Sequence, residues 1–384
     1  MKIGDLCEVV RGSSPRPKSD PRYYQGTVPR LMVADLTRDG KIVSARIDSL
    51  TELGAKQSRL MQQGDMVIAV SGAPGLPAIL AHEACIHDGF VGLRNLNLKR
   101  VCPNFLYSYL TFIRTTSQSQ AVGAIFKNLT TDQIKKIDIP ELPLEEQRRI
   151  AEILDRAEEL RSKRREAIAE LDTLTQAIFL EMFGDPATNP KGWTVSKLGD
   201  IAEKITDGEH QTPKRTLQGI KLLSARNVQN GYIDVRDVDY VSIEEYERIM
   251  KRCNPVRGDI LLSCSGTIGR VTTVDTDEPF SLVRSVALLK LKHDLINSKF
   301  LEYFLRTPAL HAKMQQRANA SSQANLFQNQ IRELPAFIPP LKLQQQFAHR
   351  IQAVEKLKTA HHASLSELDA LFASLQHRAF RGEL

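Results

Sequence analysis

The stretch "IPELPLEEQRRIA" occupies residues 139–151, and "AFIPPLKLQQQFA" occupies residues 336–348. Pro143, Leu144, Gln147 and Ala151 match Pro340, Leu341, Gln344 and Ala348 at a constant shift of 197 residues (340 − 143, 348 − 151). A phrase repeated at long range marks a duplicated unit, and such self-similarity decides a fold before local propensity does. The echo extends outward in order. "IGDLCEVV" (3–10) matches "LGDIAEKI" (198–205), and Gly12 with Pro17-Lys18 matches Gly208 with Pro213-Lys214. "QGDMVIAVSG" (63–72) matches "RGDILLSCSG" (257–266), and "NFLYSYL" (104–110) matches "KFLEYFL" (299–305). "NLTTDQIKKIDIP" (128–140) matches "NLFQNQIRELPAF" (325–337). The shift drifts only between 194 and 197, as small insertions between two copies of one domain require.

Each copy has two parts. The first is mixed α/β by pattern: "DMVIAV" and "DILLSC" are short apolar runs after a Gly-Asp turn and read as buried strands, whereas "PNFLYSYLTFIR" and "SKFLEYFLRT" carry helical periodicity. The second part is a proline-free stretch with apolar residues at heptad spacing. Its rows are Ile150, Ala157, Leu171, Ile178 with Leu154, Ile168, Met182 in the first copy, and Phe347, Val354, Leu368, Leu375 with Ile351, Leu365, Phe372, Ala379 in the second. Glu145 to Phe183 as a helix would be about 58 Å long, too long a stripe to bury on a small globule, so the two helices are expected to pair as a coiled coil. Arg161 and Arg164 align with Lys358 and His361, and all four interrupt the apolar rows near mid-helix. Antiparallel pairing is expected to bring these four together. The expected fold class is therefore α/β (α+β): two strand-rich globules, at 1–140 and 186–338, joined by two long helical spacers at 141–185 and 339–384, with an internal pseudo-two-fold repeat.

Composition is that of a folded chain, with 42% hydrophobic and 25% charged residues. The net charge of +7 is uneven: residues 1–140 carry +6, 141–183 carry −4, 184–337 carry +3 and 338–384 carry +2. A modest basic excess on both globules is compatible with a polyanionic partner. Cys7, Cys85, Cys102, Cys253 and Cys264 are dispersed with no C-x-x-C pair, as expected of reduced thiols in a cytoplasmic protein. No apolar run reaches the length of a membrane span. The sequence has no G-x-x-x-x-G-K-[ST] phosphate loop, no H-E-x-x-H helix, no Glu-x-Lys and no Asn/Asp-Pro-Pro-aromatic motif. "SGAPG" (71–75) and "SGTIGR" (265–270) read as tight turns after a strand. The chemistry on offer is that of a binding and scaffolding protein with no catalytic residue and no metal site.

Two non-identical globules, each followed by a P-L-x-x-Q-x-x-I/F-A helix, resemble the specificity subunit of type I restriction–modification enzymes over essentially the whole chain. The most specific pieces are "LPLEEQRRIAEIL", "NLTTDQIKKIDIP", "RGDILLSCSGTIGR" and "DGEHQTPK"; the first copy departs where "SGAPG" replaces the fuller S-G-T-I-G-R. The resemblance implies target-recognition domains that each read one half of a bipartite, asymmetric site in double-stranded DNA, held apart by an antiparallel helix pair. It also implies two modification subunits, which bring S-adenosylmethionine, and restriction subunits, which use ATP and Mg; this chain itself would bind no cofactor. Phosphate contacts are expected from Lys and Arg, and base readout from Arg, Lys, Asn and Gln. The candidate loops follow the first strand of each copy: Arg11, Arg16, Lys18 and Arg22 in one, His210, Gln211, Lys214 and Arg215 in the other. Arg94, Lys127, Arg226, Arg270 and Arg284 complete the candidate DNA-binding set. A coiled-coil adaptor with protein-binding globules is the alternative reading.

Overall fold

The structure is a computed structural model that describes residues 1–18, 20–119, 130–209, 211–318 and 324–384. The chain forms two compact units: Met1–Arg165 with Ala363–Leu384, and Glu166–His362. Two helices, Leu144–Phe183 and Leu341–Ala379, contribute one half each to both units.

In the first unit one sheet orders its strands Glu8–Arg11, Phe90–Arg94, Met66–Ala69, Pro77–Leu80 and Ile42–Val43; a second orders Asp48–Leu50, Tyr24–Leu31, Ala84–Ile86 and Arg59–Met61. In the second unit the corresponding sheets are Ala202–Asp207, Val286–Leu291, Ile260–Ser263, Val271–Thr273 and Arg215–Thr216, Asp239–Val241, Ile220–Leu223, Phe280–Leu282. The runs "DMVIAV" and "DILLSC" are strands buried on both faces. Met66 and Ile68 pack with the helix Pro103–Ser119, while Val67 and Ala69 pack toward the second sheet. Ile260 and Leu262 divide from Leu261 in the same way. Successive side chains leave a strand on opposite faces, so a strand covered on both sides reads as an unbroken apolar run. The Gly of each preceding Gly-Asp turn stands at positive φ, 85° at Gly64 and 93° at Gly258, a conformation that a side chain penalises.

The repeated glutamine accounts for the echoed phrase. The Gln147 amide donates to the carbonyls of Arg100 (3.0 Å) and Leu142 (2.8 Å), and its oxygen accepts the Cys102 N–H (2.9 Å). Gln344 donates to Leu295 (3.1 Å) and Pro339 (2.7 Å) and accepts the Asn297 N–H (2.8 Å). Both side chains are fully buried. Each bolts the first turn of a long helix to the segment that leads into the globule's own helix, Pro103–Ser119 or Ser298–Arg306.

Within each unit the two long-helix segments run antiparallel. In the first, Arg149 donates to the Leu384 carbonyl (2.7 Å) and Arg161 to Asp369 (2.6 Å). In the second, Lys358 meets Asp172 (2.7 Å), and Phe179 and Phe183 pack on Phe347. The heptad rows are the covered rows. Ile150, Leu154, Ala157, Phe347, Ile351 and Val354 are buried, and Ile168, Leu171, Ile178, Leu365, Leu368, Phe372 and Leu375 are half-buried. Two expectations need correction. Arg161 and Lys358 are not held as a pair: each meets a carboxylate on the other helix within its own unit and a second on its own helix, Glu158 for Arg161 and Glu355 (3.5 Å) for Lys358. Nor is the seam covered by the partner helix alone, because Ile150 and Leu154 share a core with Phe105 and Leu106 of the first globule, and Phe347 and Ile351 with Phe300 and Phe304 of the second.

Candidate nucleic-acid interface

In both globules the loop after the first strand is laid across a second chain segment. Gly12 donates to the Phe90 carbonyl (3.0 Å) and Ser13 to that of Ile86 (3.1 Å); Gly208 donates to Val286 (3.0 Å) and Glu209 to Leu282 (2.8 Å). The approach excludes a side chain, since a Cβ on Gly12 would stand 2.0 Å from the His87 carbonyl oxygen and one on Gly208 2.3 Å from that of Leu282. The glycine of G-x4-P-K thus fixes where the following basic loop starts.

In the first globule this loop meets the His87–Gly89 turn. The Ser14 hydroxyl donates to Asp88 (2.7 Å), and Arg16 stands 3.9 Å from the same carboxylate. The Ser14 hydrogen bond holds Asp88 below the usual carboxylate range, outweighing the opposing effect of burial, with the charges of His87 and Lys18 adding to it. Arg30 donates to Ser14 (3.1 Å) and Asp48 (2.7 Å) and stacks on Tyr24, whose hydroxyl donates to the Pro15 carbonyl (2.9 Å). Arg11, Arg16, Lys18 and Arg22 are exposed here; Arg22 is paired with Asp20 at 2.7 Å. Arg94 is not brought to this cluster. It ends the strand that begins at Phe90, about 13 Å away at strand rise, and pairs with Glu8 at 2.8 Å. Lys127 lies outside the described residues.

In the second globule three loops converge on Val283–Ser285. Arg284 donates its N–H to the Glu209 carbonyl (3.0 Å), Ala225 to the Ser285 hydroxyl (3.0 Å), and Cys264 to the Ser285 carbonyl (2.8 Å). These bonds bring the segments that carry Gln211, Arg226 and Arg284 to one turn, and Arg270 follows the glycine-rich turn that starts after Cys264. The Gln211 N–H is held by the Glu209 carboxylate (2.9 Å), which also meets Arg248 (3.2 Å). Arg215 lies 3.4 Å from Asp239, and Arg226 lies 3.2 Å from Asp239 and 3.4 Å from Asp237. Lys214 is exposed beside Glu245, and His210 lies outside the described residues. The surface is therefore a mosaic of guanidinium–carboxylate pairs rather than a uniform basic patch. Exposed pairs of this kind contribute only about 0–1 kcal/mol, so the guanidiniums exchange partners at little cost. Arg30, Asp88, Glu209, Asp239 and Arg248 belong to the two clusters but were not among the sequence candidates; Glu209, inside "DGEHQTPK", was the one with a sequence signal.

The two glycine-rich turns prove to be the same turn. Gly72 and Gly75 stand at φ of 74° and 79°, and Gly266 and Gly269 at 71° and 91°. Gly75 donates to Ala69 (2.8 Å) as Gly269 does to Ser263 (3.0 Å), and Ala69 donates to Leu76 (2.9 Å) as Ser263 does to Arg270 (2.9 Å). The apparent departure of "SGAPG" is one of side chains alone: Leu76 stands where the second copy has Arg270.

Comparison with known proteins agrees with this frame. The family model for the type I restriction modification DNA specificity domain matches residues 1–171 and again 190–370. The MjaVIII specificity subunit of Methanocaldococcus jannaschii is 22% identical over 93% of this chain and 86% of its own length. The EcoKI specificity subunit of Escherichia coli is 22% identical over 100% of this chain and 88% of its own. The S subunit from M. genitalium has a like fold, with a TM-score of 0.59 at 14% identity, covering 99% of this chain and 95% of that one. A chain from a structure of an assembled type I R-M system gives a TM-score of 0.57 at 20% identity, covering 100% and 97%. No helix among the described residues is long and apolar enough to cross a membrane. With two matched copies of that domain spanning most of its length, this chain belongs to the type I restriction modification DNA specificity family.

Proposed function

We propose that this chain is the DNA-reading subunit of a type I restriction–modification complex, in which each globule reads one half of a bipartite, asymmetric duplex site and the two helices set the distance between the halves. The observation that carries this is a shared loop frame that bears different side chains in the two copies. Gly12 and Gly208 start the same loop, and the paired glycines make the same turn, yet Leu76 stands in one copy where Arg270 stands in the other. A frame held constant while its side chains change is what reading two different half-sites requires. Phosphate contacts from Lys18 and Lys214 would position each globule, and arginine and amide side chains would specify bases.

On this reading two modification subunits bring S-adenosylmethionine, restriction subunits bring ATP-driven cleavage with Mg, and this chain holds no cofactor and performs no bond chemistry. Duplicated exposed leucines support two equivalent docking sites. Leu160 and Leu371 lie on the helices of the first unit, and Leu174 and Leu357 on those of the second, each 45–54% exposed. They are related by the same shift of 197 residues as the repeat (357 − 160, 371 − 174). Family membership sets the adaptor alternative aside. Mapping methylated adenines in a host that expresses the chain with its modification subunits tests the reading: a bipartite, asymmetric motif is expected, and methylation without a spacer-split motif would refute it.

A further inference from the structure

Asn227, only 2% exposed, braces the loop between Leu223 and Asp239. Its side-chain oxygen accepts the N–H (2.9 Å) and hydroxyl (3.1 Å) of Ser224, and its amide donates to the carbonyls of Asp234 (2.9 Å) and Asp237 (2.8 Å). Arg226, one residue before the brace, is thereby fixed at its backbone and exposed at its side chain. Its guanidinium shares the Asp239 carboxylate with that of Arg215, at 3.2 and 3.4 Å. Asp239 begins the strand Asp239–Val241, which is hydrogen-bonded to Arg215–Thr216 on one side and Ile220–Leu223 on the other, so the acceptor is rigid where the two donors are long. Exposed ion pairs add little to folding, and stability does not account for two guanidiniums gathered on one carboxylate. What the arrangement does is restrict the rotamers of Arg226, whose Nη1 meets Asp237 (3.4 Å) and Nη2 meets Asp239 (3.2 Å), in exposed pairs that a base edge can displace at little cost. The planar fork of guanidinium N–H donors matches the O6/N7 edge of guanine, the commonest base-specific contact in the major groove.

The first globule lacks the device. Its brace is Asp35, fully buried, which accepts the Met32 N–H (3.0 Å) as Asn227 accepts that of Ser224. The residue before it is Ala34, which has no reach. We propose that Arg226 reads a guanine in the second half-site and that Asp239 is the positioning residue that aims it, with Arg215 held alongside. This rests on the second globule being a half-site reader.

The test is the methylation motif written by the full chain in complex with its modification subunits. Arg226→Ala should admit other base pairs at one G·C position of the second half-site, with discrimination falling about 5- to 150-fold. Arg226→Lys should do the same, because lysine lacks the fork. Asp239→Asn should relax that same position by less, and should add nothing to Arg226→Ala in the double variant. Lys214→Ala, as a comparison, should weaken methylation across all sequences without changing any position. An active Arg226→Ala complex with an unchanged second half-site would overturn the assignment, as would an Asp239→Asn complex that loses activity equally on every sequence. A wild-type complex whose motif has no second half-site would refute the proposed function itself, and this inference with it.

Discussion

Gln147 and Gln344, both fully buried, each satisfy three backbone groups. Replacing either by Ala leaves one N–H and two carbonyls without their side-chain partner, at a cost of about 1–3 kcal/mol. Urea unfolding of the full chain should show that loss for Gln147→Ala and for Gln344→Ala separately, because each clamp lies in its own unit. His87 makes a different prediction. The Gly89 N–H donates to its Nδ1 (2.9 Å), so the proton sits on Nε2, which is buried with no hydrogen-bond partner among the described residues. Burial, with the Arg30 charge adding, holds this imidazole below its ordinary value of 6.5. The unfolded chain therefore takes up a proton first as pH falls. The stability contribution is complete above 6.5 and is lost as pH falls through the lower folded value. A melting series at falling pH should show a steeper drop for the wild type than for His87→Gln. The clamp glutamines were visible in the sequence because they recur in a repeated phrase. His87, Asp88 and Arg30 were not, because Ser14 and Asp88 are separated by 74 residues and meet only through the fold.

The long helices were legible as elements, since a heptad stripe follows from local spacing alone. Their register was not. Which residue of one helix stands beside which of the other depends on where both globules hold them, and the expectation of Arg161 against Lys358 failed for that reason. The observed pairs, Arg161–Asp369 and Lys358–Asp172, are copies of one another at the repeat's shift of 197 (358 − 161, 369 − 172). Arg161 also stacks on Phe372, so Arg161→Ala should cost more than the about 0–1 kcal/mol of an exposed pair. Exchanging the charges, Arg161→Asp with Asp369→Arg, should recover part of the loss of either single change, measured as a coupling energy by a double-mutant cycle. The same equivalence concerns a fragment ending at Phe183. Its unpartnered helix should pair with a second copy as a two-fold dimer, with Arg161 of each copy facing Asp172 of the other. Had the helix middles met as the sequence led us to expect, Arg161 would oppose Arg161 and salt would tighten the dimer. The structure instead predicts attraction, so added salt should loosen the dimer in sedimentation analysis.

At the scale of the whole molecule, one scaffold is written twice and its two copies differ in the residues they carry. The duplication was legible because matched blocks keep their order and spacing. The candidate interface was legible only in part: the basic loops stood out, but the carboxylates that hold their arginines come from separate segments such as Asp88 and Asp239. The claim that the globules read independently is tested most directly by exchanging residues 1–140 for the corresponding domain of a relative and sequencing the methylated adenines. The account predicts a motif in which the half-site read by the first globule is replaced while the second half-site and the spacer length stay as they were. A motif in which both halves change would contradict it.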